Sequence, residues 1–427
     1  MSATPDLKVA LVALNAPGHQ SLALGYVRAY AEQAPRLAGR VGFMTLDLDS
    51  DMDPWWVAYR ILRLEPDVLG MSVKCWNAQH IYQVCSIVKR TSPGIHIVLG
   101  GPEVSPMAEQ ILETHPYVDT IVRGEGEETF AELLGAMLHG GRLWYVDGVT
   151  TRRDDGVVSA PARPLIADLD SIPSPYASGL LGAHGDLTYI ETYRGCPRSC
   201  AYCYEGKGYD RIRYFSQERV AAEIEAIAGS GRARSLSFID PVFNLTRERL
   251  EWLGDVLEPW ARQGVRLHTI EVDIERIGTE EAALLRRAGV VSVETGPQTV
   301  SATTLERCNR RFDRERFSAG VEACKQAGIA VECDLIVGLP GDTADDLAAG
   351  LDYLLSLDPG KVQLSSLNVL PGTPLWERAE EYGIVCNPEP PHEVMCTATM
   401  GFTELRRAEA FGATVAAHYG ARSPSGR

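Results

Sequence analysis

The sequence predicts an α/β protein in two parts, a doubly wound Rossmann-like domain followed by a partial (βα)6 barrel. Three observations carry this. Short apolar runs alternate with amphipathic segments from residue 7 to residue 138, the alternation lapses in a Pro/Ser-rich stretch, and it resumes after residue 186 for six more repeats.

In the first part, LKVALVAL reads as a buried strand and SLALGYVRAYAEQ as the helix after it. RVGFMTLDL is a strand, and DPWWVAYRILRL is a helix that Asp53 can cap and Pro54 can start. DVLGMSV leads into NAQHIYQVCSIVKRT, and IHIVLGG leads into SPMAEQILETH, where Ser105 is the expected cap. VDTIVRG and EETFAELLGAML complete five strand–helix units, which imply a parallel sheet covered on both faces. This domain is assigned residues 1–140. Residues 141–184 read as a connector, with a hairpin-like stretch turning at Asp155-Gly156 and then PARPLIADLDSIPSPYASG.

The barrel is assigned residues 185–385. Its strands are LTYIETYRG, SLSFID, RLHTIEVDI, VVSVETG, AVECDLIVG and KVQLSSLNVL, with amphipathic segments between them. The first of those helices, SQERVAAEIEAIAGSG, has Ser216 as its cap. Six repeats are too few to close an eight-fold barrel, so one side should stay open. Residues 386–427 read as a tail with one helix.

Composition narrows the function. The chain has 427 residues, 45% of them hydrophobic, enough for two or three well-filled domains. Lys and Arg number 41 against 57 Asp and Glu, a net charge of −16, which argues against a nucleic-acid or basic membrane-surface partner. No run approaches the roughly 18 apolar residues of a membrane span, and the N-terminus lacks a basic leader region, so a cytoplasmic location is expected. The G-x-G-x-x-G fingerprint is missing after the first strand, which argues against NAD or FAD.

Ten cysteines are present. Cys75, Cys85, Cys308, Cys324, Cys333, Cys386 and Cys396 are scattered and read as buried thiols. The other three fall in RGCPRSCAYCYEG as Cys196, Cys200 and Cys203, at the end of the first barrel strand. Three thiolates on one tight loop can hold three irons of a 4Fe–4S cube and leave the fourth open to a substrate's amine and carboxylate. Structural zinc would want a fourth ligand at similar spacing, and a redox dithiol leaves Cys196 unexplained.

With Tyr202 as its aromatic, the Cys-x3-Cys-x-aromatic-Cys pattern resembles the signature of the radical S-adenosylmethionine superfamily, and the resemblance covers about residues 185–385. It implies a cluster that binds S-adenosylmethionine and, with one electron, yields a 5′-deoxyadenosyl radical. It also implies an external one-electron reductant such as flavodoxin or ferredoxin. Further strand ends then acquire expected roles. Asp240 to Asn244 would contact the methionine amino group, and Glu271 and Asp273 would hold ribose hydroxyls. Thr295 to Gln298 ends the fourth strand, with Gln298 toward the cofactor. Gly338, in Ile336 to Gly341, would lie near adenine, and Leu370 to Pro374 ends the sixth strand.

The pairing of a doubly wound domain with this barrel, through Ser72 to Asn77, LGGPEVS and RGEGEETF, resembles the cobalamin-binding class of these enzymes. Cobalamin would then be base-off with no histidine ligand, because Asp-x-His-x-x-Gly does not occur; His19 lacks the flanking Asp and Gly, and His80 falls inside a helix. The resemblance makes Ser72, Lys74 and Asn77 a segment under the corrin, with Lys74 facing the lower side of cobalt. Gly100 and Gly101 would pass the nucleotide tail, and Glu125, Gly126 and Glu127 would meet corrin amides or the domain junction. Trp55, Trp56 and Trp76 read as core or interface. Arg307, Arg310 and Arg311 read as a solvated helix end, and Cys308 has no assigned role. The implied activity is methylation of a carbon centre; the short strand-end loops and small tail offer no recognisable peptide-binding extension, which favours a small molecule slightly, with a peptide as the alternative substrate. Radical ring formation or rearrangement without methyl transfer is the alternative, and a non-catalytic corrinoid or redox sensor is the other.

Overall fold

The computed structural model describes residues 5–183, 187–205 and 211–422. Its contacts fall into two units, Met1–His184 with Phe215–Ile227, and Gly185–Tyr214 with Ala228–Arg427.

In the first unit, strands β1 (Leu7–Asn15), β2 (Val41–Asp49), β3 (Val68–Ser72), β4 (His96–Gly100) and β5 (Thr120–Val122) run parallel in the order β2-β1-β3-β4-β5. The order reverses between β1 and β3, and such a reversal opens a crevice at the carboxyl ends of the strands. Helices α1 (Leu22–Gln33) and α5 (Gly126–Leu138) pack on one face with Val9, Leu11, Val98 and Phe130. Helices α2 (Pro54–Leu62), α3 (Ala78–Thr91) and α4 (Ala108–Thr114) cover the other, with Val12, Leu69, Ile97 and Ile121. Successive strand residues feed opposite layers, so both must be apolar, which is why these strands read as continuous apolar runs.

Asp53 caps α2 as expected, accepting from the Trp55 and Trp56 N–H groups. Ser105 does not cap α4. The helix starts two residues later than expected, at Ala108 after Met107, and the Ser105 hydroxyl instead donates to the Gly101 carbonyl at 2.9 Å. Trp55, Trp56 and Trp76 are not core either, being 70%, 62% and 50% exposed.

The hairpin expected near Asp155-Gly156 forms as β6 (Val149–Arg153) and β7 (Gly156–Ser159), adding two antiparallel strands beyond β5. Residues 141–183 are therefore bound into the first unit, further held by the Arg163 ion pairs to Glu128 and Glu132.

In the second unit, β8 (Thr188–Ile190) is followed by the short antiparallel pair β9 (Tyr193–Arg194) and β10 (Arg213–Tyr214). Helix α6 (Gln217–Ala228), capped by Ser216, groups by contacts with the first unit, where Arg219 donates to the Ile172 carbonyl and Phe215 stacks on Tyr26. The barrel continues with β11 (Ser235–Phe238), α7 (Arg247–Arg262), β12 (Arg266–Leu267), β13 (Ile270–Glu271), α8 (Thr279–Arg287) and β14 (Ser292–Gln298). After it come α9 (Ala302–Arg307), α10 (Arg314–Gln326), β15 (Ala330–Val337), α11 (Ala344–Ser356) and β16 (Lys361–Ser366). All its repeat strands pair in parallel, as β8-β11-β12 and β13-β14-β15-β16. The third repeat strand is split into β12 and β13 by Thr269, which takes a left-handed φ of 48°. Beyond it lie α12 (Pro374–Glu377) and the C-terminal helix α13 (Phe402–Arg422).

Among the cysteines outside the clustered three, Cys85, Cys308, Cys324 and Cys333 are buried, whereas Cys75, Cys386 and Cys396 are only half-buried. Among the described residues, no helix is long and apolar enough to cross a membrane.

Candidate active site

The cysteine loop leaves β9 through Gly195, whose φ of +102° favours glycine. Cys196, Cys200 and Cys203 line one cavity of about 180 Å³ together with Arg198, Tyr202, Glu271, Glu294, Gln298, Arg310 and Asp334. Among the described residues, no three His, Cys, Asp or Glu side chains converge closely enough to hold a single metal ion. The three thiols instead surround a space. Burial pushes the Cys196 thiol up and the Cys203 thiol up to about 12, so a bound cation is what would hold them as thiolates.

The loop is held in shape from several sides. The Arg198 N–H donates to Cys196 Sγ at 3.4 Å, and the Arg198 guanidinium pairs with Asp273 at 2.6 Å. The Ala201 N–H donates to the Cys308 carbonyl at 2.8 Å, and the Ala201 carbonyl accepts from the Leu375 N–H at 2.9 Å. Tyr202, deep in the cavity, hydrogen-bonds Cys200, and burial pushes its phenol up.

Carboxylates form the opposite wall. Glu271 on β13 pairs in register with Glu294 on β14, and Glu294 with Glu332 on β15, while Asp334 lies two residues further on the same face as Glu332. Enclosure by protein, with Glu294 and Glu205 nearby, raises the Glu271 carboxyl to about 7, although its side chain stays open to the cavity. Burial, with Glu294 and Glu271 adding repulsion, pushes Asp334 up to about 8. Asp334 Oδ1 is buried without a hydrogen-bond partner. A cationic, hydrogen-bonding ligand such as S-adenosylmethionine fits this wall, since it would satisfy that oxygen and return the acids to their charged form.

Several residues expected at the cofactor turn inward instead. Asp240 is 1% exposed, and its carboxylate is engaged by the Thr192 N–H at 2.8 Å, the Thr192 hydroxyl and Arg249 at 2.8 Å. The Asn244 amide exchanges two bonds with the Asp273 backbone, at 2.8 and 3.0 Å, which joins the β11 and β13 ends. The Asp273 carboxylate belongs to Arg198. Gly338 lies outside the cavity lining; its φ is +89°, and a Cβ there would come within 2.7 Å of Val394. Gln298, at a left-handed φ of 69°, does line the cavity, as does Glu271.

Sequence reasoning missed Glu294 and Asp334 and misjudged Arg310. The missed signal is alternation. In β15, Val331, Cys333, Leu335 and Val337 are buried, while Glu332 and Asp334 occupy the intervening positions facing the barrel interior. Arg310, expected in solvent, is pulled inward by the Gly296 and Pro297 carbonyls, whereas Arg307 and Arg311 are exposed as expected.

In the first unit, Leu11, Val27, Met71, Ser72, Val98, Gly100, Gly101, Gly126 and Phe130 line a second cavity, of about 140 Å³, between β3 and β4 of the sheet and helices α1 and α5. Glycine is required there by space. A Cβ on Gly101, at φ +113°, would sit 2.4 Å from the Val73 carbonyl, and one on Gly70 would sit 2.8 Å from Leu11. The narrow apolar slot fits a flat heteroaromatic group such as a nucleotide base. Lys74 is half-buried; burial lowers its ammonium, and Nζ lies 5.5 Å from the centre of the Trp76 ring. Asn77 is buried and shapes the loop, accepting from the Lys74 N–H at 2.8 Å and donating to the Leu14 carbonyl at 3.1 Å. Glu125 accepts from the Ile166 N–H at 2.8 Å, so it anchors the segment after the hairpin, and Glu127 is buried.

Comparison with known proteins finds a match for each half of the chain. Residues 190–354 match the Radical SAM superfamily and residues 12–134 the B12 binding domain. The chain thus joins a B12-binding domain to a radical SAM domain, a combination that implies a 4Fe–4S cluster, S-adenosylmethionine and cobalamin as cofactors. Its relatives include cobalamin-dependent radical SAM methyltransferases. It is 28% identical over 330 residues to the uncharacterized methyltransferase PH0819 of Pyrococcus horikoshii, with 76% of this chain and 71% of the relative covered. It is 29% identical over 401 residues to the cobalamin-dependent radical SAM methyltransferase TokK of Streptomyces tokunonensis, with 88% of this chain but only 58% of TokK covered. The relatives also include an anaerobic magnesium-protoporphyrin IX monomethyl ester cyclase of Rubrivivax gelatinosus, at 28% identity over 72% of this chain and 56% of the relative. In fold, the chain superposes on the radical S-adenosylmethionine methyltransferase TsrM of Kitasatospora setae with a TM-score of 0.73, at 21% identity, covering 90% of this chain and 80% of TsrM.

Proposed function

We propose that the protein methylates a carbon centre of a small molecule. When bound, the cluster would supply the electron that cleaves S-adenosylmethionine, and the corrinoid would carry the methyl group. The remaining work falls to the chain. Cys196, Cys200 and Cys203 would hold three irons. Glu271 and Gln298, with Glu294 and Asp334, would seat the charged methionine and ribose portions of S-adenosylmethionine, and Tyr202 would close the cavity beside the cluster. Ser72, Gly100, Gly101 and Gly126 would admit the nucleotide tail of cobalamin. Lys74, half-buried beyond the end of β3, would present its amino group to the bound corrinoid.

The cavity shared by the three thiols and the Glu271–Glu294–Asp334 wall carries the cluster and S-adenosylmethionine part of this reading, and the similarity to the methyltransferase TokK supports the methyl transfer. Its test is anaerobic reconstitution with iron, sulfide and cobalamin, a one-electron reductant, and methyl-labelled S-adenosylmethionine. Methylation predicts a product heavier by one CH2 with label in it, together with 5′-deoxyadenosine and S-adenosylhomocysteine. The similarity to the cyclase supports a second reading. An isomer, or a product lighter by two hydrogens, with 5′-deoxyadenosine and no label transfer, would establish that reading and refute methylation.

A further inference from the structure

Three consecutive residues after α9 grip the cysteine loop. The Cys308 carbonyl accepts from the Ala201 N–H at 2.8 Å. Asn309 adopts a left-handed φ of 49°, which asparagine tolerates better than most residues, and its amide donates to the Ser199 carbonyl at 3.1 Å and hydroxyl at 2.6 Å. Arg310 Nη1 then reaches Cys200 Sγ at 3.4 Å. The guanidinium cannot swing freely, because Nε donates to the Pro297 carbonyl at 3.2 Å and Nη2 to the Gly296 carbonyl. The turn therefore fixes residues 199–201 while the end of β14 aims a cation at one particular sulfur.

We propose that Arg310 is a positioning residue that sets the reduction potential of the cluster held by Cys196, Cys200 and Cys203, through a fixed positive charge and one N–H on the Cys200 sulfur. This rests on the cluster assignment made above. On reduction the cluster gains one electron from an external one-electron donor, no bond is made or broken, and the site becomes more negative by one charge. A buried cation and a charged N–H···S bond favour the more negative state, so they raise the potential. The two carbonyl anchors and the enclosed site keep that charge from being screened as a surface arginine would be.

The test compares Arg310→Gln, Arg310→Lys and Asn309→Ala with the wild type after anaerobic reconstitution. Iron and sulfide are measured, and the reduced fraction is followed by paramagnetic resonance as the solution potential is stepped. Arg310→Gln should keep its iron, while the ratio of reduced to oxidised cluster at a fixed potential falls about tenfold, equivalent to about 59 mV for a one-electron couple. Arg310→Lys should lie closer to the wild type, because it keeps the charge, and Asn309→Ala should leave the potential unchanged. An iron-replete Arg310→Gln at the wild-type potential would overturn the proposal, as would an equal shift in Asn309→Ala, which would assign the effect to loop position. If Arg310→Gln fails to hold iron, Arg310→Lys decides: a cluster near the wild-type potential supports the charge role, and loss of iron there as well makes Arg310 an assembly residue and refutes the proposal. A wild-type protein that shows no iron–sulfur signal would instead defeat the cluster assignment itself.

Discussion

The barrel cavity and the slot in the first unit are built by opposite means. The barrel site is made of side chains that reach inward: three thiols on one loop, carboxylates from adjacent strands and one arginine held by two carbonyls. The slot is made mostly of side chains that are missing or apolar, with Gly70, Gly100, Gly101, Gly124 and Gly126 opening it. A cluster and a charged sulfonium need specific donors, whereas a heteroaromatic tail needs room and a dry wall. The two sites should therefore fail differently, the first by losing a side chain and the second by gaining one.

The largest effect should come from Cys200→Ala. Iron content should fall to the background of unreconstituted protein, and reductive formation of 5′-deoxyadenosine should stop, because two thiolates leave the cube without its third anchor. Full iron content with retained cleavage would break the contrast on the barrel side. On the other side, a pair of additions separates fold from slot. Gly101→Ala drives a Cβ to 2.4 Å from the Val73 carbonyl at φ +113°, and should destabilise the first unit by about 2–4 kcal/mol in denaturant unfolding. At Gly100 a Cβ meets nothing closer than 3.4 Å. Gly100→Val should therefore fold normally, fill the slot and weaken cobalamin binding at least about tenfold, or about 1.4 kcal/mol, in an absorbance titration. Unchanged affinity would show that the nucleotide tail lies elsewhere.

The same contrast governs how much could be read from the sequence. The main strand–helix alternation was legible, because buried strands and amphipathic helices leave local patterns, but the breaks of the first and third barrel strands and the short helix α9 were not. The cysteine loop was legible because all its ligands lie within eight residues. Glu294 and Asp334 were not singled out, since what makes them a wall is the parallel register of three strands far apart in the chain. Arg310 was misread because LERCNRR looks like a charged helix end, and only the β14 carbonyls reveal where it goes. Asp240, Asn244 and Asn77 sit at strand ends or just beyond, where ligands bind, yet their polar groups satisfy backbone or a neighbouring arginine. A buried polar group at such a position has two uses, and spacing cannot separate them. The missed split of the third barrel strand has a similar origin, since nothing local in RLHTIEVDI signals the left-handed Thr269.

A last effect is one of pH, and it belongs to the barrel site, because the slot lining has no titratable side chain. Burial pushes the Asp334 carboxyl up to about 8 and the Glu271 carboxyl up to about 7, with repulsion from Glu294 adding to both. An unfolded carboxyl titrates near about 4. Between those values the unfolded chain has released protons that the folded chain still holds, so the stability these groups contribute is complete below about pH 4. It is lost as pH rises toward 8. Without cofactors, the second unit should thus become easier to unfold from pH 5 to pH 8, and Asp334→Asn should flatten much of that slope by removing the ionisation. Saturating S-adenosylmethionine on the reconstituted protein should flatten it too, because a bound cation pulls both carboxyls back toward their ordinary range. A slope that persists in Asp334→Asn would assign the pH dependence to other groups and detach the carboxylate wall from its proposed ligand.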